Sequence, residues 1–173
     1  MNTELFHPAP TGLPVPIRPP RGSNETLKSL ERLDWTKLAK AGNGELLRAG
    51  ALWLHGFLDE SHSIAQGLAS AEGSYWHALM HRSEGDFSNS KYWYQRVGRH
   101  AIFPDLQAAV SQLKIGSPSS AAGLLGSEDW DPFRFVDAME HAASNKTGDT
   151  ALLQAIAREE YNLLMAYCLA KAD

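Results

Sequence analysis

Apolar residues recur every three or four positions along most of the chain, which is the period of an α-helix. No short stretch shows the apolar–polar alternation and β-branched enrichment that are typical of a strand. No internal repeat of about 20–50 residues is visible either. The pattern therefore predicts an all-α, single-domain helical bundle of about six to seven helices.

Capping residues and helix-breaking glycines mark the expected helix ends. Ser23 or Asn24 begins the first predicted helix, which Gly42 ends, and Asp131–Pro132 begins the sixth. Ser74, Ser88 and Asp149 are the predicted caps of the third, fourth and last helices. The predicted helices after the first cover residues 44–69, 75–84, 89–100, 105–113, 132–143 and 150–171, and 116–129 is predicted to be a loop.

The first 22 residues have a different composition from the rest. Six of the nine prolines lie within the first 20 positions, and proline both lacks an N–H and disfavours helix in the residue before it. Residues 1–22 are therefore predicted to form an extended arm without helix or strand, and residues 23–173 the helical domain. Because the arm also carries apolar residues, part of it is expected to lie along the domain or along a partner subunit in a homo-oligomer.

Composition and charge exclude several classes of protein. The 173 residues are 43% hydrophobic and 21% charged, with a net charge of −4, which is typical of a globular domain and not of a general nucleic-acid binder. The single cysteine, Cys168, excludes an intrachain disulfide and a multi-cysteine zinc site. Without a long apolar run or a signal-peptide pattern, we expect a cytoplasmic protein that does not span a membrane.

Histidines and carboxylates recur at helical spacing on two consecutive predicted helices. The first carries His55, Asp59 and His62, and the second carries His77, His81 and Glu84. Positions i, i+4 and i+7 lie on one face of a helix, so each helix would present three potential metal ligands together.

The short segment 70–74 between these helices predicts a closed helical hairpin. Residues equally distant from about position 72 would then lie side by side, so that His62 faces His81 and Asp59 faces Glu84. His55 and His77 would lie above and below that level. We therefore predict a divalent metal site, for Zn, Fe or Mn, with ligands His55, Asp59, His62, His77 and His81.

A metal at this position suggests metal-assisted hydrolysis or oxidation, with Glu84 or Asp59 as the base. Two other interpretations of the histidines stay open, since an amphipathic helix with a solvated polar face or a structural polar network would have the same spacing. The sequence also contains no H-E-x-x-H metal motif. The alternative function is a non-enzymatic interaction module whose Pro-rich arm binds a partner.

Residues 75–100 combine aromatic side chains with four basic and two acidic residues. Such a segment is typical either of a site for an anionic, ring-containing or phosphorylated small molecule, or of core aromatics beside solvated basic residues. The chain has no glycine-rich phosphate loop. The residues predicted to contact such a ligand are Arg82, Asp86, Asn89, Lys91, Arg96, Trp76 and Tyr92.

Glu160 interrupts the apolar stripe of the last predicted helix, between Ile156 and Leu164. A buried carboxylate without a partner is costly. We therefore predict that Glu160 contacts a cation, which is an arginine such as Arg82 or Arg96, a protonated histidine or a metal.

Most of these residues lie in two stretches, which are 52–66 (LWLHGFLDESHSIAQ) and 73–100 (GSYWHALMHRSEGDFSNSKYWYQRVGRH). They resemble a family of uncharacterised bacterial and fungal proteins in which a His/Asp-bearing helix precedes a WHxxxHRxExDxxNxKYW segment. The resemblance directs attention to the same polar side chains and implies no particular activity.

Overall fold

The computed structural model of the chain describes residues 19–38, 43–113, 122–125, 127–145 and 150–170. Those residues form ten α-helices and no strand, which confirms the all-α class and exceeds the predicted number of helices. Within these ranges, every helix is too short or too polar to cross a membrane. The helices are α1 (Asn24–Glu31), α2 (Trp35–Leu38), α3 (Gly44–Leu54), α4 (Leu58–Ala65), α5 (Ala71–Glu84), α6 (Phe87–Val97), α7 (Phe103–Ser111), α8 (Ala122–Leu125), α9 (Pro132–Asn145) and α10 (Thr150–Ala170).

The prediction of one long helix over residues 44–69 is wrong, because Gly56 interrupts it. Gly56 has a φ of +71°, a left-handed conformation that ends α3. The N–H of Phe57 donates to the carbonyl of Leu52, which closes the last turn, and α4 begins one residue later. A Cβ at Gly56 would lie 2.3 Å from the carbonyl oxygen of Pro20, so this turn also requires glycine for space.

Four other features of the helices differ from the prediction. The first predicted helix divides into α1 and α2, and the predicted loop over 116–129 contains the short helix α8. Ser70 rather than Ser74 caps α5, since its Oγ accepts from the N–H of Gly73 at 3.1 Å. Asp86 rather than Ser88 caps α6. The predicted ends at Gly42 and Asp149 lie outside the described residues.

The described part of the Pro-rich arm packs against the junction between α3 and α4. The N–H of Gly22 donates to the carbonyl of His55 at 2.8 Å, and Arg21 forms a 2.5 Å ion pair with Glu60. Residues 19–22 contain no helix or strand, as predicted, while residues 1–18 lie outside the described ranges.

Helix α5 lies at the centre of the molecule. Twelve of its 14 residues are buried, because it packs on α3, α4 and α6. Trp76 of α5 contacts Tyr161 of α10, and Trp53 of α3 stacks on the same tyrosine with ring centroids 5.6 Å apart. A second apolar cluster around Phe135 and Ile156 joins α7, α9 and α10. Polar side chains on α5 are therefore held in a rigid environment.

Candidate metal centre

Three histidines from two helices come together between α4 and α5. Each of His62, His77 and His81 offers one ring nitrogen, and these three atoms all lie within 4.8 Å of one another. Two nitrogen ligands of a tetrahedral zinc ion lie about 3.3 Å apart, given Zn–N distances of about 2.0–2.1 Å. Small side-chain rotations would therefore bring the three nitrogens into coordination distance.

The local sequence explains why these side chains meet. His77 and His81 are four residues apart on α5, and their rings stack with centroids 4.8 Å apart. The short connection over residues 66–70 folds α4 back on α5. The ring centroid of His62 therefore lies 5.3 Å from that of His81, as the hairpin predicts. It also lies 4.6 Å from the ring centroid of His77, which the hairpin prediction placed at another level.

Two of the three imidazoles are buried with unsatisfied ring nitrogens. Only 3% of His77 and 9% of His81 is exposed. Within the described part of the chain, neither ring nitrogen of His77 has a hydrogen-bond partner, and Nδ1 of His81 has none either. Because buried polar atoms in proteins are nearly always satisfied, these nitrogens require an explanation, and a metal bound to His77 would account for one of them.

The protonation state of the histidines is suited to metal binding. Burial, together with the neighbouring His62 and His81, lowers the pKa of His77 to about 4. Burial and His62 also lower the pKa of His81, although Asp86 and Glu84 partly oppose that effect. Both rings are therefore neutral at pH 7, with a lone pair available to a metal ion.

Two carboxylates approach the outer side of His81. Glu84 Oε2 and Asp86 Oδ2 each lie 3.9 Å from His81 Nδ1. Asp86 is fixed, because it accepts hydrogen bonds from Ser88 and from both the backbone and the side chain of Asn89. Among the described residues, Glu84 has no other ion pair or side-chain hydrogen bond. Carboxylates at this position suit a neutral His81 that carries its proton on Nδ1 and directs Nε2 towards a metal.

Trp93 of α6 closes the opposite side of the histidine cluster. Its ring stacks on His77 with centroids 3.8 Å apart, and the guanidinium of Arg96 lies 5.3 Å from the Trp93 ring. Sequence reasoning did not include Trp93 in the site. The same hairpin reasoning applied to α5 and α6 would have identified Trp93, because His77 and Trp93 lie eight positions on either side of Gly85.

The structure does not bring His55 and Asp59 into the cluster. His55 is the C-cap residue of α3, on the other side of the break at Gly56 from His62. Asp59 is exposed in the first turn of α4 and is not among the grouped ligand atoms. The predicted face of His55, Asp59 and His62 does not form, because those residues do not share one continuous helix.

Two of the residues predicted to bind an anionic ligand lie inside the protein. Trp76 and Arg82 are 0% and 1% exposed, so neither can reach a ligand that approaches from solvent. Lys91 forms a 2.5 Å ion pair with Asp137 of α9. Tyr92 is half-exposed, with its ring edge on Trp93.

Glu160 lies on α10 and contacts a cation, as predicted, and that cation is Arg82 of α5. The two side chains are fully buried and form an ion pair of 2.5 Å. The hydroxyls of Tyr75 and Tyr94 donate to Glu160 Oε1 at 3.0 and 2.7 Å. Burial and the charge of Glu160 raise the pKa of Tyr75 well above its ordinary value, so this hydroxyl remains a donor. This network satisfies the carboxylate without any metal.

Comparison of the chain with protein-family models, with curated proteins and with solved structures found no match in any of the three. The interpretation of the site therefore depends on its own geometry. That geometry is a buried cluster of three histidines able to hold a metal ion, with two carboxylates beside one of them.

Proposed function

We propose that the protein binds one divalent transition metal through His62, His77 and His81 and uses it for metal-assisted hydrolysis or oxidation. The observation that carries the proposal is that three imidazole nitrogens lie within 4.8 Å of one another in a largely buried position. Imidazole is a common ligand of zinc, iron and manganese in proteins, and helices that supply ligands at i, i+4 hold them rigidly.

The number of protein ligands favours a reactive metal over a structural one. Structural zinc is almost always held by four protein ligands, whereas catalytic zinc keeps a water or substrate in the fourth position. Three histidines leave that position open. A zinc ion there would lower the pKa of its bound water to about 7 and so supply hydroxide at neutral pH.

The position of Glu84 favours an orienting role over that of the general base. Its carboxylate lies beside His81 Nδ1 and not beside His62 or His77. A carboxylate that accepts a hydrogen bond from such a nitrogen fixes the ring and makes its other nitrogen a better ligand, and a small side-chain movement would bring Glu84 from 3.9 Å to that distance.

Metal analysis of the purified protein tests the proposal. The protein is treated with a chelator, dialysed and titrated with Zn²⁺, Fe²⁺ and Mn²⁺ by isothermal calorimetry. We expect one zinc ion per chain in the wild type, and a loss of affinity of about 100-fold or more in His81→Ala, because one of three ligands is removed. His55→Ala is the matched control and should bind zinc within about twofold of wild type. A wild type that binds no metal stoichiometrically would overturn the proposal.

The stacking of His77 between His81 and Trp93 favours a second candidate function. The ring centroids of His81 and Trp93 lie 4.8 and 3.8 Å from that of His77. This packing is as typical of a structural aromatic network as of a metal ligand. In that case the protein would be a non-enzymatic interaction module. It would be metal-free as purified, and zinc would leave its melting temperature unchanged.

A further inference from the structure

Fixed negative charge lies beside the proposed metal position. The carboxylates of Glu84 and Asp86 are each 3.9 Å from His81 Nδ1. Asn89 and Ser88 donate hydrogen bonds to Asp86, which hold its carboxylate in place. About one third of the Glu84 side chain is exposed, and it faces the same nitrogen.

Three of the four basic residues of the surrounding segment have other contacts. Arg82 is buried in the network with Glu160 and Tyr94. Lys91 is bound to Asp137 and also lies 3.8 Å from Glu140. The guanidinium of Arg96 lies over the ring of Trp93, 5.3 Å from its centroid. Arg82, Lys91 and Arg96, which favoured an anionic ligand in the sequence, are therefore engaged with other side chains.

We propose that Glu84 and Asp86 set the ligand preference of the open coordination position by weakening the binding of anions relative to neutral ligands. The inference rests on the proposed metal site. The double positive charge of the metal would attract an anion, and two carboxylates a few ångströms away reduce that attraction, whereas they change the binding of a neutral ligand much less. Neutral esters, amides and alcohols therefore compete better with phosphate and carboxylate ligands at this position than they would without Glu84 and Asp86.

Two probe ligands of different charge test the inference on cobalt-loaded protein. Co²⁺ replaces zinc in histidine sites, and its visible absorption reports a ligand that enters the open position. Azide is the anionic probe and imidazole the neutral one, and each is titrated against wild type, Glu84→Gln and Glu128→Gln. The last variant removes the same charge from an exposed residue before α9 and is the matched control.

In Glu84→Gln we expect azide to bind about 3–10-fold more tightly, because the substitution removes a negative charge at roughly 6–8 Å from the metal position in a partly solvated site. Imidazole should bind within about twofold of wild type in both variants, and Glu128→Gln should not change azide binding. An unchanged azide affinity in Glu84→Gln would overturn the inference, as would an equal gain in Glu128→Gln. Failure of the wild type to take up one Co²⁺ would instead overturn the metal site itself.

Discussion

Glu160 shows how one buried charge determines its surroundings. The carboxylate is completely buried and receives three hydrogen bonds, from Arg82, Tyr75 and Tyr94. Although burial alone would lower the pKa of Arg82, Glu160 raises it above its ordinary value, so the guanidinium keeps its charge. Removal of one partner would leave the other charge buried without compensation.

Glu160→Gln should therefore lower the free energy of unfolding by about 2–4 kcal/mol, since glutamine keeps the shape of the side chain and leaves Arg82 without its counter-ion. Urea denaturation followed by circular dichroism measures the change. The neighbouring carboxylate Glu159 is about one quarter exposed and pairs with Arg158, so Glu159→Gln is the control and should cost less than about 0.5 kcal/mol. Equal losses in the two variants would contradict the argument.

The sequence predicts that Glu160 has a cationic partner and names Arg82 among the candidates, but it does not choose between Arg82, Arg96, a histidine and a metal. The expectation follows from the local spacing of Ile156 and Leu164 on one helix. The partner Arg82 is 78 residues away along the chain, and the hydroxyl of Tyr94 is 66 residues away. Those contacts depend on how α5, α6 and α10 pack, and helical periodicity contains no information about that.

At the scale of the elements, the junction between α3 and α4 decides which histidines can meet. The apolar periodicity of residues 44–69 continues through His55 and Phe57, so it predicts one helix. Gly56 is a local signal for a break, and a contact distant in sequence adds to it, since the carbonyl of Pro20 lies against Gly56, 36 positions later. The helical hairpin formed by α4 and α5 depends only on a short connection, and for that reason its pairing of His62 with His81 is predictable.

Gly56→Ala should destabilise the protein by about 2 kcal/mol or more. Alanine in a left-handed conformation costs about 1–2 kcal/mol, and its Cβ would also displace the arm at Pro20. Gly67→Ala is the control, because a Cβ there meets only the carbonyl oxygen of Ile64 at an ordinary 3.4 Å. Thermal melts of both variants measure the difference. A melting temperature of Gly56→Ala equal to that of Gly67→Ala would contradict the assignment of the turn.

At the scale of the whole molecule, α5 connects two buried polar features, the histidine cluster and the network around Glu160. His77 and His81 face α4 and α6, while Tyr75 and Arg82 on another face of the same helix bind Glu160 of α10. The all-α class and the proximity of His62 and His81 were predictable, because both follow from periodicity and a short loop. The exclusion of His55 and Asp59 depends on tertiary packing, whereas the inclusion of Trp93 follows from the same hairpin reasoning applied to α5 and α6.

A double-mutant cycle tests whether His62 and His81 serve one site, as their contact across the α4–α5 hairpin implies. If both ligate the same ion, removal of either disables the site, so the second substitution should add little. We expect zinc affinities of wild type, His62→Ala, His81→Ala and the double variant to show a coupling well above about 0.5 kcal/mol. The pair His55 and His81 is the control and should be additive, since His55 caps α3 away from the cluster. Additive losses for His62 and His81 would mean that the two imidazoles act independently, and would contradict the three-histidine site.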